Sequence, residues 1–253
     1  MDVAVSGSTG LIGSALVAAL SAAGHRPIRL VRRAPAAGSD EIRWDPAAGT
    51  LDAASLEGVD AVVNLNGAGV GDKRWSDAYR KLLVTSRIES TRLLASTMAA
   101  MDSPPSVFLS GSAIGYYGSQ DATELTEDSP PADDFLAKLC VDWEEAATPA
   151  VEAGIRTAFL RTGIVLSTEG GALPKLLPLF KFGVGGQFGS GRQYMSWITI
   201  DDHVGAMLHL LNDEISGPVN LTAPGPVTNA EFVKTLGKVL GRPAMVPVPA
   251  FGP

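Results

Sequence analysis

The sequence predicts an α/β protein: one parallel sheet with helices on both faces, and a smaller loop-rich lobe towards the C-terminus. Three observations carry this. Short apolar runs at residues 3–6, 60–65, 106–110 and 157–161 lack the polar alternation of a half-exposed strand, as strands covered on both faces should. Stretches with apolar residues at helical spacing lie between them, so strand and helix alternate along the chain. The first run leads into glycines at 7, 10 and 13 and then into a helix.

Taken in order, residues 3–6 form the first strand and residues 11–20 a helix, with Gly24 placed to end it. Residues 27–33 read as a second strand with Arg32 and Arg33 at its end, and 60–65 as a third buried run. Tyr79, Leu82, Leu83, Ile88, Leu93 and Leu94 mark a helix over 76–101, and Pro104-Pro105 precede the strand at 106–110. A helix over 134–153 and a strand at 157–161 follow. From about residue 166 the texture changes: seven glycines fall between 170 and 191, around a short helix at 172–182, as in a segment that caps a binding cleft. Asp201-Asp202-His203 cannot form a metal triad, because adjacent side chains point apart; they read as the cap of a helix over 204–211. Residues 229–240 form a last amphipathic helix, and the proline-rich 243–253 is extended. The expected division is 1–165 for the main domain, with later segments returning to it, and 166–253 for the lobe.

Composition narrows the function. Mean hydropathy is +0.16, so the chain has enough apolar residues for a full core. No uninterrupted apolar stretch reaches the roughly 18 residues a membrane span needs, and the start of the chain lacks the pattern of a signal peptide. The net charge of −7, with no Lys/Arg run longer than two, argues against a nucleic acid or an anionic membrane as partner. The single Cys140 cannot make an internal disulfide, and with His25, His203 and His209 it gives no metal-binding spacing. A cytoplasmic protein without a metal is expected.

The glycine-spaced turn carries the chemistry. A strand, then Gly7-Ser8-Thr9-Gly10-Leu11-Ile12-Gly13, then a helix is the dinucleotide-binding arrangement of a Rossmann-type, doubly wound sheet. Gly7 permits the tight turn, Gly10 lets the backbone approach a pyrophosphate, and Gly13 lets helix pack close to strand. Ser8 and Thr9 offer further polar groups at a helix N-terminus, where an anion is favoured. An acidic residue at the end of the second strand would select NAD through the ribose hydroxyls. Arg32 and Arg33 stand there instead, and a guanidinium pairs with a 2′-phosphate, so NADP(H) is expected over NAD(H).

With its later motifs, the chain resembles the short-chain dehydrogenase/reductase superfamily in its extended branch. Leu65-Asn66-Gly67-Ala68 matches the loop that lines the adenosine and ribose side in that superfamily. Ser110 to Gly118, which contains Ser112, Tyr116 and Tyr117, resembles the segment flanking nicotinamide and substrate, and Arg161-Thr162-Gly163-Ile164 the segment closing over the cofactor. Gly189-Ser190-Gly191-Arg192, the run from Ser196 to Asp202, and that from Gly217 to Pro224 are similar to the atypical group called the epimerase family. The resemblance implies a chain running some tens of residues past the proline-rich segment, with residues that complete a substrate lid, and admits a homodimer.

The superfamily's chemistry rests on Tyr-x-x-x-Lys, one helix after the serine, where the lysine lowers the tyrosine pKa. No such pair stands here: Lys138 has Asp134 four residues before it, and the alternative register puts Leu136 and Cys140 at the two positions. The leading expectation is an NADP(H)-dependent oxidoreductase or epimerase on a small polar substrate, with the proton handled by Ser112, Tyr116, Tyr117 or a water. The rival is an NADPH-binding protein without turnover. Arg74, Arg87, Lys175 and Arg192 are placed to meet an anionic substrate, with Arg192 foremost.

Overall fold

The computed structural model describes residues 1–243, so all but Pro243 of the expected extended tail lies outside the described residues. The main sheet has eight strands: β1 (Asp2–Ser6), β2 (Arg26–Val31), β3 (Glu41–Asp45), β4 (Thr50–Leu51), β5 (Ala61–Asn64), β6 (Val107–Ala113), β7 (Arg156–Thr162) and β11 (Gly217–Leu221). Their order is β11-β7-β6-β5-β1-β2-β3-β4, parallel throughout except for the β3–β4 hairpin at one edge. The order reverses between β1 and β5, which opens a crevice beyond their carboxyl ends.

Alternate residues of each strand feed two cores. Val3, Val5, Val63 and Leu109 pack with α1 (Leu11–Ala22) and α6 (Ile200–Asn212), through Leu16, Leu20, Met207 and Leu210. Ala4, Val62 and Phe108 pack on the other face with Leu94 and Met98 of α2 (Asp77–Ala99) and Ala150 of α4 (Thr148–Glu152). Val3, Ala4 and Val5 are all fully buried, which is why this strand reads as an unbroken apolar run. Gly24, at φ +79°, ends α1 as expected: its N–H bonds Ser21 O while the His25 N–H reaches Leu20 O.

Several boundaries correct the sequence reading. The helix expected over 134–153 is two: α3 (Phe135–Glu145), then α4 with Pro149 in its first turn. A continuous helix would drive the Pro149 ring into the Glu145 carbonyl; here that carbonyl accepts the Thr148 hydroxyl at 2.7 Å instead. β2 ends at Val31, so Arg32 and Arg33 lie just beyond it. α6 starts at Ile200, capped by Thr199 Oγ1, which accepts from the Asp202 N–H at 3.1 Å; Asp201, Asp202 and His203 belong to its first turn.

The lobe comprises β8 (Ile164–Leu166), α5 (Leu173–Lys181), β9 (Tyr194–Met195), β10 (Trp197–Thr199), β12 (Val227–Thr228) and α7 (Asn229–Leu240). β8 pairs with β10 and β9 with β12, outside the main sheet. α7 keeps its expected bounds because Thr228 and Glu231 form a capping box and Gly241 ends it at φ +61°. α6 and β11 return to the main layer. Among the described residues no helix is long and apolar enough to cross a membrane, and no His/Cys/Asp/Glu group could hold a metal ion.

Candidate functional site

The glycine turn sits at the mouth of the crevice. Gly7 adopts φ +65°, and a Cβ there would lie 2.6 Å from Leu65 O, so both backbone conformation and contact with the β5 loop require glycine. A Cβ at Gly13 would overlap the Gly7 carbonyl oxygen, which lets α1 close up on the turn. Gly10 differs. It is exposed, has ordinary extended φ, and its Cβ would meet only Gly7 O, at 3.3 Å. Gly10 caps α1 without any side-chain bond, and no acidic side chain occupies the first turn. The N–H groups of Leu11, Ile12 and Gly13 thus stand at a positive helix end facing the crevice mouth. Ser8 is buried and Thr9 exposed on the same turn.

Beyond β5, Leu65, Asn66, Gly67 and Ala68 form the second wall. The Leu65 N–H donates to Ser6 Oγ (3.1 Å), Asn66 Nδ2 to Ser86 O (3.1 Å) and the Ala68 N–H to Ser86 Oγ (3.0 Å). A buried chain underlies it: Ser6 Oγ donates to Asn64 Oδ1, Asn64 Nδ2 to Thr91 Oγ1, and Trp143 Nε1 to the same hydroxyl. The lobe closes from above. Gly170 and Gly171 pack on Leu11, and Lys175 Nζ donates to Gly71 O at 3.0 Å.

The two arginines after β2 part company. Arg33 makes two bonds to the Glu41 carboxylate of β3, which with the Ala36 N–H holds that carboxyl down at about 2. Arg32 is exposed, with no side-chain bond among the described residues. Only Arg32 stands ready to meet a phosphate.

The nicotinamide end was expected to present Ser110, Ser112, Tyr116, Tyr117 and Arg161. The structure instead draws most of these into a buried network. Arg161, 3% exposed, donates through Nε and Nη2 to the two Glu144 oxygens at 2.9 Å each, and through Nη1 to Tyr117 Oη and Glu127 O. Burial disfavours its charge, but the bonds from Glu144 and Tyr117 outweigh that and raise its pKa above the ordinary arginine value. Ser112 Oγ donates to Glu144 at 2.6 Å, and Tyr117 Oη to Asn220 Oδ1 at 2.7 Å. Tyr116 is half-buried with its ring 3.5 Å from the Arg161 guanidinium carbon, and its hydroxyl makes no bond among the described residues. Ser110 Oγ is fully buried without a partner there. Thr162 accepts from buried His203, and Gly163 is wedged against Ser196 O and the Thr222 methyl, which turns the chain out of the sheet into Ile164 and β8.

Leu136 and Cys140 of α3 both face Gly115, at 3.5 and 3.8 Å from where its Cβ would be. Two apolar groups therefore occupy the helix face that would carry the tyrosine and lysine. Burial pushes the Cys140 thiol up to about 11, as a small hydrophobe, and Lys138 is exposed. Sequence reasoning missed Glu144 and Glu127, because nothing local marks a carboxylate that meets its arginine only across the fold.

A family model described as the NAD dependent epimerase/dehydratase family matches residues 3–221. An Epimerase family protein of Mycobacterium tuberculosis is 47% identical over 249 residues, covering 98% of this chain and 82% of the relative. The human epimerase family protein SDR39U1 is 39% identical over 254 residues, covering 99% and 84%. The crystal structure of that human protein with NADPH superposes with a TM-score of 0.90 at 38% identity, covering 98% of this chain and 83% of the other. A Corynebacterium glutamicum structure described as a nucleoside-diphosphate sugar epimerase gives a TM-score of 0.83 at 40% identity, over 99% of this chain and 53% of that one. A doubly wound sheet with an open glycine turn and matches of this extent lead to one assignment: the chain belongs to the NAD-dependent epimerase/dehydratase family, in its atypical short-chain dehydrogenase/reductase group.

Proposed function

We propose that this chain binds NADP(H) in the crevice between β1 and β5 and acts with it as an oxidoreductase or epimerase on a small polar substrate. Gly10 carries the nucleotide reading: the fold needs Gly7 and Gly13, whereas the side chain absent at Gly10 leaves room for a ligand against the helix end. The N–H groups of Leu11, Ile12 and Gly13 would receive the pyrophosphate, and Arg32 the 2′-phosphate, since Arg33 is held by Glu41. The nicotinamide supplies a hydride donor or acceptor when bound. The lobe excludes water by lying on Leu11 and on the loop at Gly71. Of the three hydroxyls at this end, Tyr116 alone is uncommitted, so it is assigned to move the proton, directly or through a water.

A second reading, nucleotide binding without turnover, is favoured by the bonds from Ser112 to Glu144 and Tyr117 to Asn220, and by Leu136 and Cys140 on the helix face of the dyad. The test is to follow NADPH oxidation with small polar carbonyl compounds, and product formation from nucleotide sugars, using the parent and Tyr116→Phe. Turnover that Tyr116→Phe abolishes without loss of NADPH affinity supports the enzyme. Tight binding with no turnover across the panel supports the second reading, and absence of NADPH binding refutes both.

A further inference from the structure

We propose that Arg87 is an anion receptor in the floor of this cleft, taking a phosphate or carboxylate group of a bound ligand. The inference rests on the reading of the crevice as a ligand site and adds to it a residue and a ligand chemistry. Arg87 projects from α2 beneath the β5 loop: a Cβ at Gly67 would lie 3.2 Å from its Cγ and Cζ. Its guanidinium carbon stands 5.0 Å from the centre of the Trp143 ring on α3, and Nη1 donates to Leu83 O at 3.1 Å. One of five N–H donors is therefore used within the chain, and the planar fork is held in place by the indole.

What is absent around it decides the chemistry. No carboxylate among the described residues pairs with Arg87. The other internal arginines are answered: Arg161 by Glu144, and Arg156 by the carbonyls of Leu210, Leu211 and Ile215 at the end of α6 and beyond. Burial lowers the Arg87 pKa with no compensating carboxylate, so the folded chain holds a partly desolvated cation at a cost. Its surroundings on α3 are the uncharged Trp143 and Cys140, the latter where the superfamily's lysine would stand. Arg87 thus brings a positive charge from α2 to the space that the substitution on α3 leaves without one. It lies between the cofactor wall at Gly67 and the face of α3, so the anion comes either from the cofactor's phosphates or from the substrate. A bidentate guanidinium–oxyanion pair is the shared chemistry.

The test compares the parent with Arg87→Met and Arg87→Lys at constant ionic strength. NADPH affinity is read by cofactor fluorescence, and inorganic phosphate by its stabilisation of the protein with and without NADPH. Arg87→Met is expected to lose about 10- to 100-fold in one of these affinities, to melt no lower than the parent, and to be partly rescued in Arg87→Lys. Loss in NADPH affinity assigns the anion to the cofactor. Unchanged NADPH affinity with loss of phosphate stabilisation of the loaded protein assigns it to the substrate. Both affinities unchanged in Arg87→Met overturn the proposal, as they do in Arg87→Lys should the methionine variant fail to fold. A parent that binds no NADPH but is stabilised by phosphate through Arg87 would refute the cofactor reading and leave the receptor standing.

Discussion

The Arg161–Glu144 pair sets how the catalytic end of this fold is built, and Glu144→Leu probes it. Arg161 is 3% exposed and Glu144 12%, with two parallel bonds of 2.9 Å. Removing the carboxylate strands the guanidinium in the interior and takes the acceptor from Ser112. Breaking one side of a buried pair costs about 3–5 kcal/mol. For a domain of this size each kcal/mol moves Tm by roughly 2–4 °C, so Tm should fall by about 6–20 °C. Arg161→Met should cost a similar amount, because it leaves Glu144, Tyr117 Oη and Glu127 O without their donor. The double variant replaces both charges by apolar groups, and its loss should fall well short of the sum, with a coupling of about 1–3 kcal/mol. Urea denaturation of the four proteins closes the cycle. Additive losses of under about 1 kcal/mol each would show that the pair is held too loosely to shape the site, and would refute the reasoning.

Three further outcomes follow from the geometry. Gly10→Ala should fold like the parent, needing a shift of a few tenths of an ångström against Gly7 O, yet lose NADPH affinity, whereas Gly13→Ala should lower Tm because its Cβ overlaps the turn; circular dichroism melts and a fluorescence titration separate the two. Buried His203 donates to Thr162 through Nε2 while its Nδ1 has no partner among the described residues, and burial holds its pKa down at about 4 against 6.5. The unfolded chain therefore binds the extra proton first, and stability is lost as pH falls from 6.5 towards 4, by up to about 3 kcal/mol; His203→Gln should flatten that slope, and an unchanged slope would contradict the assignment. Thr148→Ala should destabilise the α3–α4 junction by about 1 kcal/mol, since the Glu145 carbonyl loses its hydroxyl partner, measurable by chemical denaturation.

Legibility followed the range of the interaction. The strand–glycine–helix unit and α7 could be read locally, because Gly7, Gly13 and the Thr228–Glu231 box act within a few residues of themselves. β3 was missed although Ile42 and Trp44 alternate inward, because five residues in a polar stretch give too short a pattern. The break between α3 and α4 was signalled by Pro149 and passed over. Arg33 looked like a phosphate ligand because Glu41, which engages it, arrives only once β3 pairs with β2. The same holds for Arg161, whose partners Glu144, Tyr117 and Glu127 come from three separate segments. Position in the sequence marked where the site lies, while the state of its hydroxyls depended on contacts between distant segments.

The central claim is that the crevice takes NADP(H), through the glycine turn and Arg32. The most direct measurement is a fluorescence titration with NADPH and NADH of the parent and of Arg32→Glu. NADPH should bind the parent at least about tenfold more tightly than NADH, a margin set by a charge-assisted pair to the 2′-phosphate, and Arg32→Glu should erase that margin while leaving NADH affinity in place. Equal affinities in the parent, or a preference unmoved in Arg32→Glu, would contradict the account.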